Sequence, residues 1–353
     1  MSQVRGNTPP IDAGSDWPTL LQSNQRTGGQ EVVAASSPKR ARWQIRLGGS
    51  IRSASVLGNG LLFVPTVAGT LFAIDTAKGR TKWKFQIADQ IHSTPSVWKS
   101  LILFGSDSGK VYALDSDSGS KVWEVSARGE VWTSPVVKDG VVFFGSADAR
   151  LYAVDAETGR QRWVQEFGGR IYSTPYAAPD RLYFGCSDTN VYCVDPGSGK
   201  ILWHTPTGNG IDSSPALTLD TVLIGSEDFF FYALDATTGA VRWKYETGLG
   251  IVSSPAVSDE VVVFGGKDGY VYALEIGTGK LMWKAHVGGV VTAPPVIANG
   301  LVCIQAGGTF AFDISSGKEA WRAGVGGAVQ SVPVLTKDGM YVSSLDGEVY
   351  ALE

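Results

Sequence analysis

Eight tryptophans fall into register along this chain: Trp43, Trp83, Trp123, Trp163, Trp203, Trp243, Trp283 and Trp321. Successive gaps are 40 residues until the last, which is 38. A period near 40 that holds several strand-like runs between turn signals specifies a β-propeller with one blade per repeat. The expected fold is therefore all-β: eight four-stranded antiparallel blades in one ring. A chain of 353 residues could hold two domains, but the continuous repeat overrides that expectation from length.

One copy shows the logic. Residues 251–283, IVSSPAVSDEVVVFGGKDGYVYALEIGTGKLMW, read as four short strands with a turn signal between each pair. IVSSPAV is the predicted innermost strand. Its proline recurs twelve residues after the preceding tryptophan, as Pro95, Pro135, Pro175, Pro215, Pro255, Pro295 and Pro333, with Ser55 in the first copy. Proline lacks a backbone N–H and belongs on a sheet edge, and the strand facing a propeller channel is such an edge. VVVFGG and VYALE follow, joined through Lys-Asp-Gly. Both are apolar on successive positions, as a sheet packed on both faces requires. The outermost strand ends at Trp283. A glycine stands four residues before each tryptophan from Trp83 to Trp321 and supplies a left-handed turn. Tryptophan's large apolar area suits it to bridge blades near the rim, so all eight are expected to be structural.

Composition narrows the function. A net charge of −4 argues against nucleic acid as the main partner. No apolar run approaches the roughly 18 residues of a membrane-spanning helix, and MSQVRGNTPP does not open an export signal. The compartment stays open between an intracellular chain and one lacking its precursor's leader. Glycine, 44 of 353 residues, exceeds the usual share of about 7% and fits a turn-dense all-β chain. Cys186, Cys193 and Cys303 make no disulfide framework. The first two flank a predicted hairpin turn and are expected diagonal on one face, too far apart to bridge. All three read as small buried hydrophobes. LDSDSG at 114–119 lacks the spacing and terminal glutamate of a calcium loop and reads as a turn of blade two. His204 and His286 sit beside or just after outer-strand tryptophans, away from any nucleophile motif. No catalytic residue, cofactor or metal ligand is expected.

The two ends complete each other. Residues 1–36 lie outside the repeat; 1–15 are rich in Pro, Gly, Ser and Asn and are expected to be mobile. Residues 16–28, DWPTLLQSNQRTG, carry apolar anchors and read as a segment laid across the propeller. KRARWQIRL, from Lys39 to Leu47, has the character of an outer strand with no inner strands before it. Residues 329–353 supply three strands and stop where a fourth is due. Pairing Arg40–Leu47 with Glu348–Glu353 closes the ring and completes blade eight, so the propeller is expected to run from 37 to 353. Lys39, Arg40, Arg42 and Arg46 then read as charges guarding a rim strand.

AVDAETGRQRW (153–163), ALDATTGAVRW (233–243) and ALEIGTGKLMW (273–283) share the pattern A-x-D/E-x-x-T-G-x-x-x-W. This resembles the tryptophan-docking motif of the pyrroloquinoline-quinone-like propeller repeats, and DWPTLLQSNQRTG resembles the segment that often precedes their first blade. The resemblance covers nearly the whole chain. A WD-repeat reading fits poorly, because no aspartate follows any of the eight tryptophans. The family includes quinoprotein dehydrogenases, sensor domains fused to kinases, and a lipoprotein subunit of the outer-membrane β-barrel assembly machinery, which this chain is similar to. The dehydrogenases' adjacent Cys-Cys pair and long cofactor-covering loops have no counterpart here, nor does any cysteine precede Cys186 as a lipid-anchor site. The resemblance implies fold more firmly than function.

Where the copies disagree, a site can be sought. Nine residues after each tryptophan stand Arg52, His92, Trp132, Tyr172, Asp212, Val252, Thr292 and Gln330, each preceded by Ile or Val. Two positions earlier come Ser50, Gln90, Glu130, Arg170, Gly210, Gly250, Val290 and Ala328. Bulky and polar members concentrate in blades one to four. Either an exposed mouth drifts freely or a lopsided recognition surface lies at the channel. The hairpin tip that reads Asp-Gly-Tyr at 268–270 reads Asp-Phe-Phe at 228–230; Phe229 and Phe230 either meet a partner or fold onto the next blade. The expected site is Arg52, His92, Trp132, Tyr172, Asp212, Gln330, Phe229 and Phe230, all on one face. Two function classes follow: a monomeric scaffold docking another protein or peptide, and a small-ligand or quinone-binding propeller of sensor or dehydrogenase type.

Overall fold

The computed structural model describes residues 40–353 apart from residue 259, residues 324–330 and residues 337–338. The predicted segment at 16–28, Lys39, Ala328 and Gln330 therefore lie outside the described residues. The strands form eight four-stranded antiparallel sheets, and in seven of them the strands run inward to outward in chain order. Blade six shows the register: Ala256–Val257, Val261–Gly265, Tyr270–Glu275 and Leu281–His286, with Val263 opposite Ala273 and Ala273 opposite Trp283.

The eighth sheet takes its outer strand from the other end of the chain. Ala41–Arg46 pairs with Glu348–Leu352, placing Ala41 opposite Leu352 and Arg46 opposite Glu348. The Leu47 N–H donates to the Gly347 carbonyl over 2.7 Å, and the Arg40 guanidinium meets the Glu353 carboxylate at 2.6 Å. Ring closure by the N-terminal strand is thus as the sequence specifies.

Among the described residues there is no single core; apolar side chains collect in eight layers, one between each pair of adjacent blades. Blades one and two share Phe63, Leu71, Ile102 and Phe104, while blades eight and one share Tyr341, Val349, Leu62 and Val64. The middle strands have a neighbour on each face, which is why their sequences are apolar without alternation.

Each outer-strand tryptophan joins two blades. Trp203 donates its indole N–H to the Ala236 carbonyl of blade five at 3.1 Å and lies against Gly239. Trp43, Trp83, Trp123, Trp163, Trp243 and Trp283 repeat this contact with Thr76, Ser116, Ala156, Pro196, Ile276 and Ile314. The glycine before each following tryptophan therefore has two duties. Gly239 adopts φ +76°, and a Cβ there would sit 2.6 Å from the Trp203 ring.

Two expectations need correction. The innermost strand is only two or three residues long, as in Ala256–Val257, so Ile251–Pro255 is a lead-in, held by the Ile251 N–H donating to the Ser226 carbonyl and by side-chain contacts. Cys186 and Cys193 do not share a face. Cys193 pairs with Tyr183, and Cys186 lies three residues beyond Tyr183, an odd step that turns it to the opposite side. They belong to the layers on either side of blade four. All three cysteines are buried and free, and burial pushes their thiols well above the usual range. The Asp115 carboxylate of LDSDSG accepts from the Ser118 N–H and hydroxyl, closing a turn. Among the described residues no helix is long and apolar enough to cross a membrane.

Candidate functional site

The variable ring lies at one end of the channel because its neighbours are fixed. Ile51, Ile91, Val131, Ile171, Ile211, Ile251 and Val291 are fully buried. Five of them sit on a glycine of the preceding blade; a Cβ on Gly145 would lie 2.3 Å from Ile171. With the aliphatic side chain inserted there, the next residue projects into the mouth.

Serine and threonine then lock each lead-in. The Gly105 N–H donates to Ser93 Oγ at 2.7 Å, and Gly145 does the same to Thr133. The following hydroxyls tie blade to blade around the channel: the N–H groups of Ala54, Ser134, Thr174 and Ser214 donate to Thr94, Thr174, Ser214 and Ser254. These residues, with Arg52, His92, Trp132 and Thr292, line a channel cavity of about 250 Å³. The belt has its own sequence signal, a Ser or Thr immediately before the recurring proline in most copies.

At the mouth the aromatic members meet. The rings of His92 and Trp132 have centroids 5.2 Å apart, and Trp132 stacks on Tyr172 at 4.8 Å. Trp132 Nε1 donates to Asp107 Oδ1 at 2.8 Å, and His92 Nδ1 is 2.9 Å from the same oxygen. Arg170 donates to the Tyr172 hydroxyl at 3.2 Å. The result is a continuous aromatic wall over blades two to four, braced from below, with Trp132 exposed. Beyond it the mouth becomes acidic. Asp212 is exposed at the mouth, and the protein packed around its carboxyl raises its pKa by reducing its hydration, with Glu227 adding to the rise and Lys267 opposing it. Lys267 pairs with Glu227. Arg52 is exposed.

The hairpin tips share this face, since their N–H groups donate to lead-in carbonyls: Asp107 to Gln90, Ala147 to Glu130, Ser187 to Arg170 and Glu227 to Gly210. A carboxylate latch stiffens four of them. Asp228 accepts from the Gly208 N–H at 2.7 Å and from the Tyr232 hydroxyl at 2.6 Å. Asp148, Asp188 and Asp268 do likewise with Tyr152, Tyr192 and Tyr272. Burial and the Asp148 carboxylate push the Tyr152 hydroxyl up to about 12, so it remains a donor. The sequence signal for the latch is an aspartate with tyrosine four residues later, repeating every 40 residues from Asp148 to Asp268.

The two phenylalanines part company at this latch. Phe229 is 45% exposed with φ +76°, in the left-handed slot that Gly69, Gly109, Gly269 and Gly347 occupy in other blades and that Ala149 and Thr189 fill in blades three and four. Phe230 begins the strand Phe230–Asp235, is half-buried, and has Lys244 Nζ 3.9 Å above its ring. It packs on its own blade and does not extend the patch. Leu249 lies on a neighbouring loop: the Thr247 hydroxyl lies within 2.8 Å of the Phe229 and Leu249 carbonyls, and Leu249 is exposed.

The sequence matches the family model described as outer membrane protein assembly factor BamB, over residues 13–97, 89–209 and 165–353. The chain belongs to this family. Among solved structures it is similar to BamB from Moraxella catarrhalis, at 19% identity and TM-score 0.78, covering 89% of this chain and 99% of that one. It is also similar to quinohemoprotein alcohol dehydrogenase from Comamonas testosteroni, at 15% identity and TM-score 0.82, covering 96% and 80%. The computationally designed Ika8 protein matches at 18% identity and TM-score 0.78, covering 87% and 98%. At these identities the likeness is one of fold. No curated protein matches at a significant level.

The residues present do not fit the quinone arrangement that the resemblance implies for dehydrogenases. Its adjacent cysteines have no equivalent, since the three thiols lie singly in three different interblade layers.

Proposed function

We propose that this propeller is a non-catalytic scaffold that docks a segment of another protein on its channel-mouth face. Phe229 is the apolar anchor, and the His92–Trp132–Tyr172 wall is the second contact. The observation that carries this reading is the state of Phe229. An exposed phenylalanine held at φ +76° combines an uncompensated apolar surface with a backbone conformation costing about 1–2 kcal/mol. Folding stability alone favours glycine in that slot. The Asp228 latch keeps the side chain presented, which lowers the ordering cost of binding. Exposed Leu249, Val290 and Trp132 add apolar surface around the same mouth, and a family described as an assembly factor is consistent with holding other proteins.

The test separates binding from folding. Phe229→Gly relieves the left-handed strain and should leave the melting temperature unchanged or raised, while weakening partner capture from the native host by about 2 kcal/mol or more. Trp132→Ala should weaken capture similarly, and Leu219→Ala, on the opposite face, should not. Unchanged quantitative capture by Phe229→Gly and Trp132→Ala would remove the site from consideration.

A further inference from the structure

We propose that the outer edge of blade four accepts an extended, uncharged β-strand from another polypeptide, adding a fifth strand to that sheet. This surface is separate from the channel mouth. Among the described residues the strand Ile201–Pro206 lies at the end of its sheet and pairs only with Asn190–Val194, leaving a row of backbone donors and acceptors on its outer side.

Every blade has such an outer strand, but the others are guarded. Arg80–Gln86 carries Arg80, Lys82 and Lys84; Lys121–Ser126 carries Lys121 and Glu124; Gln161–Glu166 carries Arg162 and Glu166. Val241–Glu246, Leu281–His286, Glu319–Ala323 and Ala41–Arg46 each hold at least one Lys, Arg or Glu. Charges on an edge strand prevent pairing with foreign strands. Ile201–Pro206, ILWHTP, has no Lys, Arg, Asp or Glu within it, the nearest charge being Lys200 just before its first residue. In their place Ile201 is 38% and Leu202 is 46% exposed, and Val164 and Val241 are exposed on the flanking outer strands.

The edge is also rigid. Trp203 Nε1 donates to the Ala236 carbonyl, and Thr205 Oγ1 donates to the Gly239 carbonyl at 2.6 Å, so alternate side chains are pinned into blade five. A fixed edge is a preformed template for strand addition, with main-chain hydrogen bonds for affinity and alternate side chains for selectivity. Pro206 offers no N–H and ends the usable edge, leaving Ile201–Thr205 to pair.

The chemistry of the occupant follows. Apart from the exposed Lys200 just before it, the strand offers no charge to pair with one on an added strand, and exposed Ile201 and Leu202 favour an uncharged occupant. A second copy fits worse. Two convex rims meeting edge to edge touch through one six-residue strand each, well short of the roughly 1,200 Å² of a stable interface. A free segment can instead follow the strand and lay its side chains toward Val164 and Val241.

The test uses the full chain and an end-blocked, seven-residue peptide of alternating Val and Thr, followed by fluorescence anisotropy and amide hydrogen exchange. The peptide should bind and slow exchange within Ile201–Thr205. Leu202→Lys should weaken binding about tenfold or more without lowering the melting temperature, because Leu202 is exposed. Val122→Lys, on a strand already charged, should have no effect. A peptide N-methylated at alternate residues should not bind. Equal binding by the N-methylated peptide, indifference to Leu202→Lys, or a peptide-free dimer dispersed by Leu202→Lys would each overturn the proposal; the last would make the occupant a second copy.

Discussion

Asp212 shows how one residue can carry cost and purpose together. Its carboxyl pKa is raised first by lost hydration and then by Glu227. A carboxyl whose folded pKa exceeds its unfolded value binds its proton more tightly in the native state, so stability falls as pH rises through the shifted pKa. At neutral pH the charged form therefore destabilises the ring, and Asp212→Asn should raise the melting temperature there. The advantage should vanish as pH falls below the ordinary carboxylate range near 4, and a melting series on both proteins measures it. An equal gain at all pH values would trace the effect to packing instead. The sequence marks Asp212 through its departure from the other copies, but not its surroundings, because Glu227 and Lys267 arrive from other loops. Phe229 is more legible, since aligned repeats place it where four other blades have glycine and two have the small residues Ala149 and Thr189. Phe230 is not its companion, as adjacency in sequence suggests; Phe229 is the left-handed turn residue, whereas Phe230 begins the strand Phe230–Asp235 and packs against the layer that contains Tyr232.

At the scale of the element, the recurring Thr/Ser-Gly before tryptophan is legible as a turn, but its contact partner is not. The tryptophan that covers Gly239 is Trp203, one blade earlier. The repeat pattern shows period within the chain, whereas this contact depends on how blades splay. Two glycines separate the contributions. Gly140 has φ +73° and open space where a Cβ would go, while a Cβ on Gly239 would meet Trp203 at 2.6 Å and Thr205 Oγ1 at 2.8 Å. Gly140→Ala should incur only the left-handed cost of about 1–2 kcal/mol. Gly239→Ala should add an overpacking cost of about 1–3 kcal/mol. Urea denaturation of both variants reads the difference, and equal losses would show that the tryptophan yields freely. The same limit hides the hydroxyl belt and the Asp–Tyr latches: their residues repeat in sequence, but their partners are defined only once the blades are stacked.

For the whole molecule, eight layers and no central core make the ring a closed series of neighbour contacts. An open series frays from its ends, whereas a closed one has no end until a seam opens. Blade number and closure are legible because the tryptophan register counts blades and the missing outer strand at one terminus is present at the other. The weakest seam is not. Seven outer-strand tryptophans donate to a carbonyl of the next blade, but the buried Trp321 Nε1 has no partner among the described residues, a deficit of about 1–3 kcal/mol. The seam between blades seven and eight should therefore open first. Native-state hydrogen exchange should show lower opening free energies in Leu301–Gln305 and Gly339–Ser343 than in Leu182–Gly185 across the ring. Deleting residues 40–47 removes both Trp43 and the strand that completes blade eight, so it should lower protection in every blade and reduce the melting temperature of the whole ring. A peptide spanning residues 37–48, added in trans, should restore both. If the truncated chain keeps its melting temperature, or loses protection in blade eight alone, each blade is stable without closure and the ring is a row of independent neighbours.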